Sequence, residues 1–216
     1  MSRFNQAVYV ASAYSLPELP VPTGLEVAFA GRSNAGKSSA INTITGRNRL
    51  AFASKTPGRT QLINFFGLGD DRFLVDLPGY GYADVPEHER IRWGQVVGTY
   101  VRERVSLRGL VVIMDARHPL KPIDHQLLGW FLPTGRPVHI LLTKADKLSR
   151  QEAKRQMDMV RGALQGYGPG ATVQLFSSLK RTGVEEARAL LEQWLELPGA
   201  EKEKPPAKGD GPGVKP

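Results

Sequence analysis

Two glycines, a lysine and a serine set the first question. Gly31 is followed, four residues later, by Gly36, Lys37 and Ser38, inside the stretch LEVAFAGRSNAGKSSAINTI that runs from Leu25 to Ile44. This is the spacing that cradles phosphate. Glycines let the backbone turn so that successive N–H groups face inward, and the positive end of the following helix adds to them. Lys37 supplies a point charge to the β- and γ-phosphates, and Ser38 offers a hydroxyl to Mg²⁺. By chance such a pattern arises in roughly one chain in a hundred. Here an apolar run precedes it and a helical pattern follows, which is the context the motif requires.

Other groups extend that chemistry. In FLVDLPGYGY (73–82) an apolar run delivers Asp76, then Leu77, Pro78 and Gly79. A carboxylate there can hold Mg²⁺ through water, and a glycine three residues on can give its N–H to a γ-phosphate. In ILLTKADKL (140–148) another run ends in Thr143, Lys144, Ala145 and Asp146. The Asp146 carboxylate can accept from N1–H and the 2-amino group of guanine, a donor pair adenine lacks. A pocket built on that pairing rejects the wrong base, because an unpaired buried carboxylate is costly. Ser177, Ser178 and Leu179 follow the last apolar run, where backbone amides could meet the guanine carbonyl. The loop ASKTPGRTQ (53–61) offers Thr56 and Thr60 as candidates to cap Mg²⁺. Thr60 leads directly into the next strand, but spacing does not decide between them.

These groups need a scaffold that brings strand ends together. Apolar runs at 25–30, 61–68, 72–76, 109–115, 138–143 and 172–177 are apolar at consecutive positions, as strands buried on both faces are. Helical patterns lie between them: Lys37–Thr45, Pro86–Val105, Ile123–Phe131, Arg150–Leu164 and Gly183–Leu197. The alternation predicts an α/β three-layer sandwich around a mostly parallel sheet. AVYVASA (7–13) is a candidate edge strand within an N-terminal extension, residues 1–22. The globular domain is expected over 23–197. The remainder, 198–216, is Pro, Gly and charge without an apolar anchor and reads as a disordered tail.

Composition bounds the class. With 216 residues, 41% hydrophobic and 23% charged, the chain fits one globular domain. No apolar run is long enough to span a membrane, so no membrane partner is expected. The absence of cysteine excludes disulfides and thiolate metal sites and fits a cytoplasmic protein. The four histidines show no metal-ligand spacing, and His139, in an apolar run, reads as core. A formal net charge of +8 attracts polyanions such as RNA.

With these boxes in hand, the sequence resembles the translation-factor class of small GTPases, and more closely the bacterial EngB (YihA/YsxC) family. GRSNAGKSS, TPGRTQ, VDLPGYGYA, TKADK and FSSLK carry the resemblance, over roughly residues 20–195. It implies a monomeric Ras-like P-loop GTPase domain that binds GTP, GDP and Mg²⁺. It implies a role in assembling the large ribosomal subunit, with ribosomal RNA rather than DNA as the polyanion, and a link to cell division and septation. Nucleotide contacts carry over, at the phosphate loop, onto Gly31, Arg32, Ser33, Asn34 and Ala35, with Gly36, Lys37 and Ser38 after them. Gly58, Arg59, Thr60, Gln61 and Leu62 follow, then Asp76, Leu77, Pro78 and Gly79. At the base they are Thr143, Lys144, Ala145 and Asp146, with Phe176, Ser177 and Ser178. The direct magnesium ligands carry over onto Ser38 and Thr60. Lys37, Thr60 and Gly79 are the residues expected to act on the transferred phosphoryl group.

In Ras-type enzymes the place after Gly79 holds a glutamine that orients the attacking water. Here it is Tyr80, which predicts slow intrinsic turnover completed by another element, such as the ribosomal particle. Asn34 is a candidate K⁺ ligand beside the phosphates, where the ion would stabilise developing charge. An asparagine tolerated in a tight turn is the equal alternative. Basic groups at Arg47, Arg49, Lys55 and Arg59, and at Lys147, Arg150, Lys154 and Arg161, are candidates to meet RNA. A further group, Arg90, Arg92, Arg102, Arg104 and Arg108, reads as solvated charge. The rival readings are a P-loop ATPase or kinase acting on a small substrate, against which Asp146 speaks, and a guanine-nucleotide-dependent binding module with negligible hydrolysis.

Overall fold

The computed structural model describes residues 2–52, 62–81, 87–167 and 170–197, the side chains of 88–90 excepted. The apolar runs become strands: β1 (Val8–Ala13), β2 (Leu25–Gly31), β3 (Ile63–Gly67), β4 (Arg72–Asp76), β5 (Leu107–Asp115), β6 (Val138–Thr143) and β7 (Ala171–Leu175). They form a 7-stranded sheet in the order β1-β3-β4-β2-β5-β6-β7. From β4 to β7 all neighbours run parallel, while β3 is antiparallel to both β1 and β4. The helices are α1 (Lys37–Thr45), α2 (Glu87–Glu103), α3 (Pro122–Phe131), α4 (Arg150–Leu164) and α5 (Val184–Trp194).

Consecutive apolar residues are explained by two cores, one on each face. Ala28 and Ala30 of β2, with Val112 and Met114 of β5, pack on one side with Val97, Leu128 and Val160 of α2, α3 and α4. Val27 and Phe29, with Val111 and Ile113, pack on the other side with Ile41 of α1 and Leu191 of α5. A strand with both faces covered has no polar face to alternate with. The mostly parallel three-layer sandwich expected from the sequence is the fold observed. The parallel order also sends the C-terminal ends of β2, β4, β6 and β7 to one edge of the domain, where the chemistry-bearing loops begin.

The N-terminal extension joins this body. β1 is the edge strand, and Phe4, fully buried, lies in the core cluster that holds Ile41 and Ile44 of α1. The far C-terminal segment, 198–216, lies outside the described residues.

One buried charge was hidden in an apolar run. Glu26 of β2 is 1% exposed, and its carboxylate accepts from Tyr100 Oη at 2.7 Å, Ser106 Oγ at 2.8 Å and Arg104 Nη2 at 2.6 Å. A buried carboxylate persists only when paired and hydrogen-bonded in this way. Arg104 is thus part of the core rather than the solvated charge its sequence group suggested. The same place ends α2 before Val105. Arg136 donates to the carbonyls of Val101 at 2.7 Å, Arg102 at 2.8 Å and Arg104 at 2.8 Å, satisfying acceptors that a helix C-terminus leaves open.

Candidate functional site

The phosphate loop connects β2 to α1. Its turn needs two left-handed residues, Asn34 at φ 61° and Gly36 at φ 99°. Glycine adopts that conformation without cost and asparagine tolerates it. Gly31 meets a second demand, since a Cβ there would lie 2.9 Å from the Ile113 carbonyl oxygen of β5. Helix α1 starts at Lys37 with Gly36 as its N-cap and no side-chain cap bond. The N–H groups of its first turn therefore remain open donors at the positive end of a helix, which is an anion site.

Two strand ends close on this loop. Leu77, just past β4, donates its N–H to Phe29 O at 2.9 Å. Asp76 forms an ion pair with Lys37, both side chains being largely buried. Gly79 lies against the phosphate loop, a Cβ there reaching Gly31 O at 3.7 Å and Ser33 N at 3.8 Å. Tyr80 N–H donates to Gly31 O at 3.3 Å, and Ser33 N–H donates to Tyr80 O at 2.7 Å. From β6, Thr143 Oγ1 donates to Met114 O at 3.0 Å and also to the Ala35 carbonyl.

The base-side residues come together as well. Lys144 sits at φ 57°, and its Nζ donates to Asn34 O at 2.6 Å and pairs with Asp115 at 3.0 Å. Burial would raise the Asp115 carboxyl, but hydrogen bonds from Arg117 and Lys144 outweigh it and hold the group well below the usual carboxylate range. Asp146 Oδ1 accepts from Ser177 Oγ at 2.6 Å. Ser177 Oγ in turn accepts from Lys180 N at 3.1 Å, and Ala145 N–H donates to Phe176 O at 3.2 Å. Ser178 is half-buried beside them.

The structure thus brings Gly31–Ser38, Asp76–Gly79, Thr143–Asp146 and Phe176–Ser178 to one edge of the sheet. Leu62 immediately precedes β3. Gly58, Arg59, Thr60 and Gln61, with Thr56, lie outside the described residues. Ser38 and Asp76 offer a hydroxyl and a carboxylate, which are hard oxygen donors. Among the described residues no group of three His, Cys, Asp or Glu could hold a metal. That donor set fits Mg²⁺, which is usually bound through one or two carboxylates together with phosphate oxygens.

Sequence reasoning missed Asp124, Trp93 and Asp115. Tyr80, at the position of the Ras-type glutamine, turns inward: its hydroxyl donates to Asp124 Oδ1 at 2.8 Å, and its side chain is 3% exposed. Burial, followed by the Asp124 charge, pushes the phenol well above its ordinary range. Burial also raises the Asp124 carboxyl. A signal for Asp124 was present, because an acidic residue three positions past Lys121 and two past Pro122 is a helix-start pattern. Its bond to Tyr80 had none.

A sheet of this order, with a phosphate loop at β2, an Asp-x-x-Gly turn at β4 and a Thr-Lys-x-Asp turn at β6, defines a Ras-like P-loop GTPase. A family model described as 50S ribosome-binding GTPase matches residues 26–144. The probable GTP-binding protein EngB of Methylobacillus flagellatus is 58% identical over 198 residues, spanning 92% of this chain and 96% of that protein. The EngB of Nitrosomonas europaea is 54% identical over 217 residues, spanning 96% of this chain and 98% of that one. The chain belongs to the EngB family of GTP-binding proteins. A crystal structure of a probable GTP-binding protein EngB superposes with a TM-score of 0.64 at 19% identity, over 79% of this chain and 98% of that chain, which speaks for the fold. The bacterial selenocysteine-specific elongation factor EF-Sec shares that fold at a TM-score of 0.58 and 18% identity, over 80% of this chain and 29% of its own.

Proposed function

We propose that this chain is a monomeric GTP-binding switch of the cytoplasm that hydrolyses GTP slowly and acts in assembly of the large ribosomal subunit, in a manner linked to cell division and septation. The observation that carries the nucleotide reading is the Asp146 carboxylate, oriented by Ser177 on the same edge of the sheet as the open N-terminus of α1. The carboxylate selects guanine and the helix end grips phosphate. Lys37 places its charge on the β- and γ-phosphate oxygens, exchanging the Asp76 carboxylate for phosphate. Ser38 and Asp76, with Thr60, would hold Mg²⁺, which when bound neutralises charge on the same oxygens. Gly79 offers its N–H to the γ-phosphate. Hydrolysis transfers that phosphoryl group to water and leaves GDP and inorganic phosphate.

Slow turnover is supported by Tyr80. Its hydroxyl is engaged by Asp124 inside the protein, so the position that carries the water-orienting glutamine in Ras-type enzymes contributes no such group here. A second element, supplied by the ribosomal particle, then completes the site. The 50S ribosome-binding description of the matching family supports this partner. So do exposed Arg47 and Arg49 after α1, and exposed Lys147 before α4 with Arg150, Lys154 and Arg161 along it, as contacts for RNA phosphates. K⁺ beside Asn34 is retained as a proposed accessory ion. Among the described residues no helix is long and apolar enough to cross a membrane.

The test is calorimetry with GTP, GDP and ATP, followed by sedimentation with large-subunit precursors in the two guanine-nucleotide states. Guanine nucleotides should bind at least ~100-fold more tightly than ATP. Co-sedimentation should depend on the γ-phosphate and weaken steeply with salt. Equal affinity for ATP defeats the nucleotide reading, and nucleotide-independent sedimentation defeats the switch.

A further inference from the structure

Among the described residues, bonds fasten the segment Leu77–Tyr80 at Leu77, Pro78 and Tyr80. Leu77 is tied through its N–H to β2, as described above. Pro78 O accepts from Trp93 Nε1 of α2 at 3.2 Å. Tyr80 is held to the phosphate loop by backbone bonds in both directions, to Gly31 and to Ser33. Its hydroxyl reaches Asp124 in the first turn of α3, and Asp124 is itself fixed by accepting from Lys121 N at 2.8 Å. The rings continue the clasp: Tyr80 and Trp93 have centroids 5.0 Å apart, and Trp93 and Trp130 of α3 are 5.6 Å apart. Among the described residues, Gly79 alone in this segment makes no hydrogen bond of its own. It stands between two anchored neighbours, where a Cβ would lie against Gly31 and Ser33.

We infer that Tyr80 and Asp124 are positioning residues that hold the Gly79 amide against the phosphate loop and thereby set the site's preference for nucleoside triphosphate over diphosphate. The inference rests on the proposed guanine-nucleotide site. Diphosphate needs the N-terminus of α1, Lys37 and the base pocket, whereas the Tyr80 side chain is engaged with Asp124 of α3 and Trp93 of α2. A third phosphate alone would need an N–H delivered from the 76–79 turn. Asp124 is completely buried and the Tyr80 hydroxyl is its side-chain partner, so the bond is shielded from water and directional. It does not rest on packing alone, because Tyr80→Phe keeps the ring against Trp93 and removes only the hydroxyl.

The experiment uses the full chain and measures equilibrium binding of GDP and of a non-hydrolysable GTP analogue to wild type, Tyr80→Phe and Asp124→Asn. Loss of one shielded hydrogen bond should lower affinity for the triphosphate analogue ~3- to 10-fold while GDP affinity stays within about twofold. Asp124→Asn keeps an oxygen for Tyr80 or for the α3 cap and should show a smaller selective loss. The double variant should lose no more than Tyr80→Phe alone, since both changes break the same bond. In turnover assays the loss should fall on kcat/KM for GTP and leave product inhibition by GDP unchanged. An equal loss for both nucleotides, or unchanged affinity for both, overturns the inference while leaving the guanine site intact. Failure of the wild type to bind guanine nucleotides overturns the underlying reading and this inference with it. Should Tyr80→Phe fail to fold, Asp124→Asn reads the same ratio.

Discussion

The two ends of the nucleotide site are built on different principles. At the base end, polar side chains are bound to backbone, or to a side-chain partner that backbone also holds, as Lys180 N–H holds Ser177 and Asn34 O holds the Lys144 that pairs with Asp115. Thr143 is bonded to Met114 and Ala35, Lys144 to Asn34, and Asp146 to Ser177. At the phosphate end, side chains are bound to other side chains across the fold, Lys37 to Asp76 and Tyr80 to Asp124. Bonds to backbone fix a shape that need never change. A pair beside the ligand, Lys37–Asp76, can be exchanged when a charged ligand offers a better partner, whereas the buried Tyr80–Asp124 bond holds its turn in place. In the proposed site, specificity for the base thus resides in a backbone-braced frame, and response to the third phosphate resides in side-chain pairs, one exchangeable and one fixed.

The largest effect is expected where the backbone-braced frame meets the ligand. Asp146→Asn replaces a double acceptor by an amide that presents a donor to the guanine 2-amino group. Affinity for GTP and GDP should fall together, by ~100-fold or more, as expected for an unpaired polar group in a site built to hydrogen-bond. Xanthine nucleotides, with a carbonyl in place of that amino group, should gain. Titration calorimetry with both pairs of nucleotides checks this. A loss confined to GTP would erase the distinction between the two ends.

Most of the frame was legible in the sequence. Consecutive apolar residues reported strands with both faces covered, and α1, β4, β6 and α4 fall at the residues expected from periodicity and loop chemistry. The phosphate-loop turn was legible because backbone geometry demands glycine at Gly36, and Asp146 falls in the turn after β6 where the proposed base contact calls for a carboxylate. What escaped was pairing across the fold. Glu26 and Arg104 are 78 positions apart, and Tyr80 and Asp124 are 44 apart. Each looks like an isolated polar residue in a linear reading, and only the sheet order brings them together. Tyr80 was read only as a replacement for the water-orienting glutamine, with no partner of its own. Its ring instead joins Trp93 in the core, because an aromatic of that size gains more from burial than from standing in a loop.

A middle-sized effect is expected from pH, through the layer beneath the base end. His139 of β6 is 5% exposed, with Nδ1 at 2.7 Å from Thr172 Oγ1 and Nε2 at 2.9 Å from Gln174 Oε1. Gln174 Nε2 donates to Gly183 O at 2.7 Å, which links the histidine to the start of α5. Burial lowers the imidazole from its ordinary 6.5 to about 4, against the hydrogen bond to Gln174, which raises it. Between those values the unfolded chain binds the proton and the folded protein does not. Stability should therefore fall as pH drops through this window, by up to ~1.4 kcal/mol per pH unit from this group, and the contribution should level off below about 4. Denaturant melts of wild type and His139→Gln at several pH values isolate it as the difference in slope. Equal slopes would show that the histidine is not held neutral, and that the base end is less rigid than its bonding suggests.

The smallest effect is the most discriminating. Ser177→Ala removes the hydroxyl that orients Asp146 and also deprives Lys180 N–H of its acceptor. Asp146 itself remains, so the base pairing survives with a less constrained carboxylate. The loss should be that of a single neutral donor, ~3- to 10-fold in affinity. It should fall equally on GTP and GDP, because the base is common to both and Ser177 reaches no phosphate-end group. Tyr80→Phe should produce a loss of similar size that falls on the triphosphate alone. Measured side by side, two removals of one hydroxyl each should then differ in pattern rather than in magnitude. If both variants weakened the two nucleotides in the same ratio, the site would respond as one unit, and the division between the base end and the phosphate end would fail.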